Sequence, residues 1–231
     1  MAIACYLAMT AAEFFTCEHL PANIAWLACH FSSSGPGLSN IPKSLPSHSV
    51  LMIDDSTPFQ NHDPEYIVQQ LQEAISAFDI QTILLDFQRA SNPDVQTLVS
   101  MLQRALPCPV AAPPEYAQGD SPVFLPPCPL SKPLTAHLSP YRGRQIWLDA
   151  APLPMQITVT AGGCTYHTLP VGLSWDTPHY ESALHCNYSI CIQDDQIIFT
   201  LRRDADAFRD WLQEAASLGV SAAIGLYQEW R

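Results

Sequence analysis

The sequence predicts an α/β fold, a closed or nearly closed (β/α)8 barrel with shortened or missing helices, and three observations predict it. Eight short apolar runs recur along the 231 residues. They are continuous rather than alternating, as in parallel strands buried on both faces. Amphipathic helical stretches fall between several of them, giving the strand–helix–strand rhythm of parallel sheets. A doubly wound open sheet is the competing arrangement, but no glycine-rich phosphate turn follows any run.

The first run is IACYLAM (3–9), and the whole N-terminal stretch MAIACYLAMTAAEFF reads as a first strand, since it lacks the basic n-region of a signal peptide. The second is IAWLACHF (24–31) and the third SVLMIDD (49–55). A helix is predicted over 63–78, where Ile67, Leu71, Ala74, Ile75 and Phe78 fall near helical spacing behind the cap pair Asp63-Pro64. TILLDFQ (82–88) is the fourth run, and a second helix over 91–106 puts Val95, Leu98, Val99 and Leu102 on one face.

CPVAAPPE (108–115), SPVFLPPC (121–128) and RQIWLDAAP (144–152) are the next three runs. The connections between 113 and 143 are short and proline-rich, which leaves little room for full helices. The pattern then changes type. MQITVTAGGCTYHTLPV alternates around Ala-Gly-Gly, and YSICIQDDQIIFTL alternates around Asp194-Asp195, both hairpin signatures. A third helix over 204–220 has Phe208, Leu212 and Ala215 along one stripe and Gly219 at its exit. The eighth run, SAAIGLYQEW (221–230), closes the chain. The expected organisation is one barrel domain over 1–231, with an antiparallel insertion at 155–201 between the seventh and eighth strands.

Composition excludes several function classes. The formal charge is −12, and phosphate neutralisation needs clustered Lys and Arg, so nucleic acid is not the expected partner. No apolar run reaches the roughly 20 residues that cross a bilayer, and no basic amphipathic stretch suggests a membrane surface. The eight cysteines form no CxxC pair and several sit in apolar runs, as Cys5, Cys29 and Cys191 do. Buried reduced thiols and a cytoplasmic location are the expectation. His62, His137, His167, His179 and His185 show no HxH or HExxH spacing, so neither a metal nor a cofactor is expected. Oligomeric state has no signal in the sequence.

In a barrel the C-terminal strand ends converge on one mouth, where such enzymes work. Those ends supply the candidate residues: His30 after the second run, Asp54 and Asp55 after the third, Asp86 and Gln88 after the fourth. Glu115, Cys128 and Asp149 follow the fifth to seventh, and Tyr227, Glu229 and Trp230 follow the eighth. Carboxylates serve acid–base chemistry, and aromatic rings and amides hold polar ligands. Bland alternatives stand beside them. Asp54 and Asp55 also suit turn formers or caps, and His30, between Cys29 and Phe31, also suits a satisfied core histidine.

The stretch IQTILLDFQ (80–88) resembles the fourth-strand signature DxxDxDxE of the family-18 glycoside hydrolases, the chitinase-like TIM barrels. Position by position, Asp86 matches the last Asp, Leu84 replaces the middle one, Gln81 the first, and Gln88 stands where the family has its proton-donating Glu. Trp230 resembles the eighth-strand Trp that floors the family's central subsite. The resemblance implies a glycosidase-like barrel. An amide cannot donate a proton to a leaving alkoxide, so Gln88 implies impaired catalysis. The expected function is binding of a carbohydrate or other polar small ligand at the mouth. In that reading Asp86, Gln88 and Glu229 occupy the catalytic positions, and His30, Asp54, Asp149, Tyr227 and Trp230 contact the ligand. An active hydrolase using Asp54, Asp149 and Glu229 is the alternative, and a structural or interaction protein the third.

Overall fold

The computed structural model describes residues 3–170, 176 and 179–230, so part of the expected insertion (171–175, 177 and 178) lies outside the described residues. In chain order the first strands are β1 (Ala4–Met9), β2 (Ile24–Phe31), β3 (Leu38–Ser39), β4 (Val50–Asp54) and β5 (Thr82–Asp86). They are followed by β6 (Val110–Ala111), β7 (Val123–Leu125) and β8 (Ile146–Asp149). Next come β9 (Met155–Thr160), β10 (Gly163–Thr168), β11 (His179–Glu181), β12 (Cys186–Gln193), β13 (Gln196–Arg202) and β14 (Val220–Leu226). The helices are α1 (Ala11–Thr16), α2 (Pro64–Phe78), α3 (Pro93–Ala105), α4 (Leu134–Leu138) and α5 (Ala205–Ser217). The chain forms two compact units.

The larger unit comprises Ala4–Pro126, Gly143–Asp149 and Ser221–Arg231. Its strands run in the order β6-β5-β4-β2-β1-β14-β8-β7. A parallel bridge between Ala112 and Val123 joins the two ends of that row. Ala112 donates its N–H to the Pro122 carbonyl at 3.1 Å, and Phe124 donates to the Ala112 carbonyl at 2.7 Å. The result is a ring of eight parallel strands with few helices, a shortened (β/α)8 barrel. Each of the eight apolar runs supplies one stave.

Two layers of side chains follow from the period-2 alternation of strands. Tyr6, Ala8, Ala25, Val50, Met52, Leu84, Ala111, Phe124, Trp147, Ala222 and Ile224 form one buried cluster drawn from all eight staves, which is the barrel interior. Tyr6 and Trp147 stack there, their ring centroids 5.6 Å apart. The alternate positions, including Leu51, Ile53, Ile83 and Leu85, pack outward against Ile67, Leu71, Leu98 and Leu102 of α2 and α3. The cap of α2 is the one the sequence predicts, and α3 is capped in the same way. Asp63 accepts from the N–H groups of Glu65 and Tyr66, and Asn92 accepts from that of Val95.

Three differences have local causes. The N-terminal stretch is not one strand: it breaks at Thr10, whose hydroxyl and Glu13 form a capping box that starts α1. The fifth and sixth runs supply only two and three strand residues. Pro109, Pro113, Pro114, Pro122, Pro126 and Pro127 flank these short staves and lack the N–H a longer ladder needs. The short antiparallel β3 pairs with β2 through His30–Ser39 and Phe31–Leu38, and no pattern in the sequence announces it.

The smaller unit (Met1–Ile3, Pro127–Arg142 and Ala150–Val220) holds an antiparallel sheet ordered β10-β9-β13-β12-β11, together with α4 and α5. The expected hairpins are present. Thr160 pairs with Gly163, and Gln193 pairs with Gln196 across Asp194 and Asp195, whose φ values of 48° and 61° suit a tight two-residue turn. Cys186, Leu201 and Leu130 centre its small core. Buried Arg203 donates to the carbonyls of His185 and Leu184 at 3.1 and 3.0 Å and lies 4.6 Å from the Trp211 ring centroid. Burial lowers its pKa to about 10. Cys191, expected in a buried run, is exposed, because it lies in the half of β12 from Ile190 to Gln193 whose residues are all exposed. All eight cysteines are free thiols.

Candidate functional site

Register places the polar strand ends side by side. His30 pairs with Asp54, and Asp54 pairs with Asp86, so three ionisable residues occupy one level of β2, β4 and β5. Neighbouring strands lie about 4.8 Å apart. Asp54 follows the interior residues Val50 and Met52, and Asp86 follows Leu84, each with an even offset that turns it to the barrel's inner face. Asp149 follows Trp147 by the same rule. In β2 a register irregularity between Trp26 and Cys29 resets the alternation. Cys29 then packs with the outer layer and His30 takes the inner side.

Each polar group is held differently. His30 Nδ1 is 3.2 Å from the Ala28 carbonyl, an obligate acceptor. Nδ1 therefore carries a proton and donates it to that carbonyl. One oxygen of Asp54 accepts the Ser56 N–H at 2.8 Å. Burial pushes the Asp86 carboxyl above its ordinary value, and the charges of Asp54 and Asp55 add to the rise. The Gln88 amide opposes it by donating to Asp86 Oδ1 at 3.3 Å. Burial and the charge of Asp54 likewise push the Cys29 thiol up.

Asp55 points elsewhere. It is 8% exposed, and its two carboxylate oxygens accept the backbone N–H groups of Gln88 and Arg89 at 2.9 and 2.8 Å. Arg89 returns the contact, donating to the carbonyls of Asp55 and Ser56, each at 2.6 Å. Asp55 is thus the structural clamp that fixes where Gln88 stands.

The eighth stave ends in a turn. Glu229 donates its N–H to the Leu226 carbonyl at 2.9 Å. One oxygen of its carboxyl is buried with no hydrogen-bond partner among the described residues, and burial raises its pKa. Trp230 folds back over Gly225, and a Cβ at 225 would collide with the indole. Gly225 is the residue the sequence reading missed. A glycine inside an apolar strand is the signal for such a close approach. The Tyr227 ring packs with the outer layer, its hydroxyl 3.2 Å from Cys17 Sγ. Glu115 is exposed on a turn, and Cys128 is buried in the smaller unit. The described residues contain no cluster of three or more His, Cys, Asp or Glu able to hold a metal ion, and no helix long and apolar enough to cross a membrane.

No protein-family profile matches the chain, and no curated protein does. Solved structures do match. The Bacillus cereus spore cortex-lytic enzyme SleL aligns over 100% of this chain and 73% of its own, at 8% identity and a TM-score of 0.54. The C-terminal domain of a Desulfitobacterium hafniense DCB-2 protein, provisionally named a chitinase, aligns over 100% of this chain and 95% of its own, at 9% identity and a TM-score of 0.59. At such identities the likeness is one of architecture. The chain has the fold of the chitinase-like, glycosidase-type (β/α)8 barrels.

Proposed function

We propose that the barrel mouth binds a carbohydrate or another polar small ligand, and that its hydrolytic chemistry is impaired. One observation carries the reading. Gln88, at the position where the resemblance to the family-18 hydrolases expects the general acid, donates its amide to Asp86. That amide preserves the hydrogen-bonding shape of an acid–acid pair, yet it supplies no proton. His30, Asp54, Asp86 and Gln88 then offer acceptors and donors to sugar hydroxyls, and Asp149 and Glu229 complete the proposed set. Tyr227 and Trp230 drop out of it, because the first packs with the outer layer and the second covers Gly225 on the face opposite interior Ala222 and Ile224. The eight free thiols support a reducing, cytoplasmic setting. The charge of −12 supports a neutral rather than a nucleic-acid ligand.

Titration calorimetry with triacetylchitotriose tests the reading. Binding that weakens at least tenfold in Asp86→Ala and in Asp54→Ala supports it. Equal affinity in all three proteins, or no heat at millimolar ligand, overturns it.

A second reading is favoured by Glu229, whose raised pKa and unpartnered buried oxygen are properties of a general acid. An active hydrolase would pair Glu229 with Asp54 or Asp149. Release of nitrophenol from a chromogenic chitobioside by the wild-type protein, lost in Glu229→Gln, would favour this reading over the first.

A further inference from the structure

Beyond the row at His30, Asp54 and Asp86, the β4–α2 loop and the first turns of α3 border an open cavity of about 450 Å³, lined by Phe59, Gln60, Asn61, His62, Asp94 and Thr97. Small-ligand sites begin at roughly 300 Å³. The lining is built in two parts.

The first part is a stacked pair of rings, whose outward face serves as the plate. Phe59 and His62 stack with ring centroids 5.2 Å apart and planes 17° from parallel. Both rings rest on buried Phe31, at 5.2 and 5.4 Å. The imidazole is fixed at both nitrogens. Gln60 donates its backbone N–H to Nδ1 at 3.0 Å, so the ring proton sits on Nε2, which donates to the Ser32 carbonyl at 2.9 Å. An imidazole held in that state is neutral and has no donor left for a ligand. Its remaining contribution is its ring. Next to it, Asp63 ties the loop down through its N–H to the Pro36 carbonyl at 2.8 Å.

The second part is a set of uncommitted polar groups. The side chains of Gln60, Asn61 and Asp94 make no hydrogen bond to any described residue. Thr97 gives its hydroxyl proton to the Pro93 carbonyl at 2.9 Å and keeps its lone pairs. Two amides supply donors and acceptors together, while Asp94 and Thr97 supply acceptors alone. Acceptors outnumber donors, which fits a ligand rich in hydroxyls. The only formal charge in the lining is negative and no cationic side chain is present, so an anion does not fit.

From the plate and these groups we infer that the cavity is a second ligand site, separate from the row at His30, Asp54 and Asp86, and that it takes a neutral sugar ring. The apolar C–H face of a pyranose lies on the Phe59–His62 plate, and its hydroxyls donate to Asp94 and Thr97 and exchange hydrogen bonds with Gln60 and Asn61. The site deepens the carbohydrate reading of the mouth by adding a subsite at its periphery, yet it rests on different residues and can be lost separately.

The test is backbone amide chemical-shift mapping of the full chain titrated with triacetylchitotriose. Saturable shifts at 59–62 and 94–97 are expected, and they should be abolished in Asp94→Ala/Thr97→Ala. Both residues are on the exposed side of α3, so this variant keeps the fold. Gln60→Ala, on a backbone held by His62, should weaken the same shifts at least threefold. Shifts confined to residues 30, 54, 86–88 and 225–230, shifts nowhere, or rim shifts unchanged in the double variant would each overturn the inference. Rim shifts with a silent mouth would uphold it and defeat the reading of the mouth.

Discussion

Asp55 holds Gln88 by its main chain: the Asp55 carboxylate accepts the Gln88 N–H at 2.9 Å, while the Gln88 side chain stays directed at Asp86. A buried acid on one loop thus sets the position of the neighbouring strand's key side chain.

Removing that acid leaves two partly buried backbone donors without their partner. Asp55→Ala is expected to destabilise the protein by about 3 kcal/mol, the scale of a lost charge-assisted contact plus desolvated N–H groups. Urea unfolding checks it, and a change below about 1 kcal/mol would show that water replaces the carboxylate.

Asp86 predicts a pH dependence. Its folded pKa lies above the ordinary carboxylate value near 4, so the folded state holds the proton more tightly than the unfolded one. The stability this provides is complete below the unfolded pKa, and it is lost as pH rises through the folded one. In Asp86→Asn that decline should vanish. Melting temperatures at intervals upward from pH 4 are expected to fall in the wild type and run flatter in the variant.

Gln88→Glu restores a carboxyl beside Asp86. General-acid assistance is worth on the order of 10²–10⁴ in rate. The variant is therefore expected to cleave a chromogenic chitobioside at least a hundredfold faster than the wild type. Equal rates would remove the support that Gln88 lends to an impaired-hydrolase origin.

At Gly225 any side chain meets the Trp230 indole. Gly225→Ala should displace the ring or cost about 1–3 kcal/mol in overpacking. The fluorescence difference between Gly225→Ala and Gly225→Ala/Trp230→Phe reports which. A red-shifted Trp230 contribution with unchanged stability would show that the ring swings out.

Much of this was legible because continuous apolar runs have few solutions. A strand such as VLMID or TILLD must be covered on both faces, and parallel staves provide that. The ends of those runs carried Asp54, Asp86 and Asp149 onto the inner face, since the period of two is fixed once the interior residues are known. What the runs concealed was tertiary. That Asp55 turns to clamp a neighbouring loop depends on the position of β5, thirty residues away. The plate of Phe59 and His62 depends on Phe31 arriving from β2. The irregularity that turns His30 inward is invisible in IAWLACHF, where simple alternation from Ala25 and Leu27 would assign Cys29 to that side.

The joint between β6 and β7 is thin, an isolated bridge at Ala112–Val123 between prolines. Solvent deuterons should therefore enter the hoop early at this seam, at amides 112 and 124. A cut made there would unroll the sheet with few broken links, leaving the opposite arc, where β2, β4 and β5 carry His30, Asp54 and Asp86, as the part that stays whole longest.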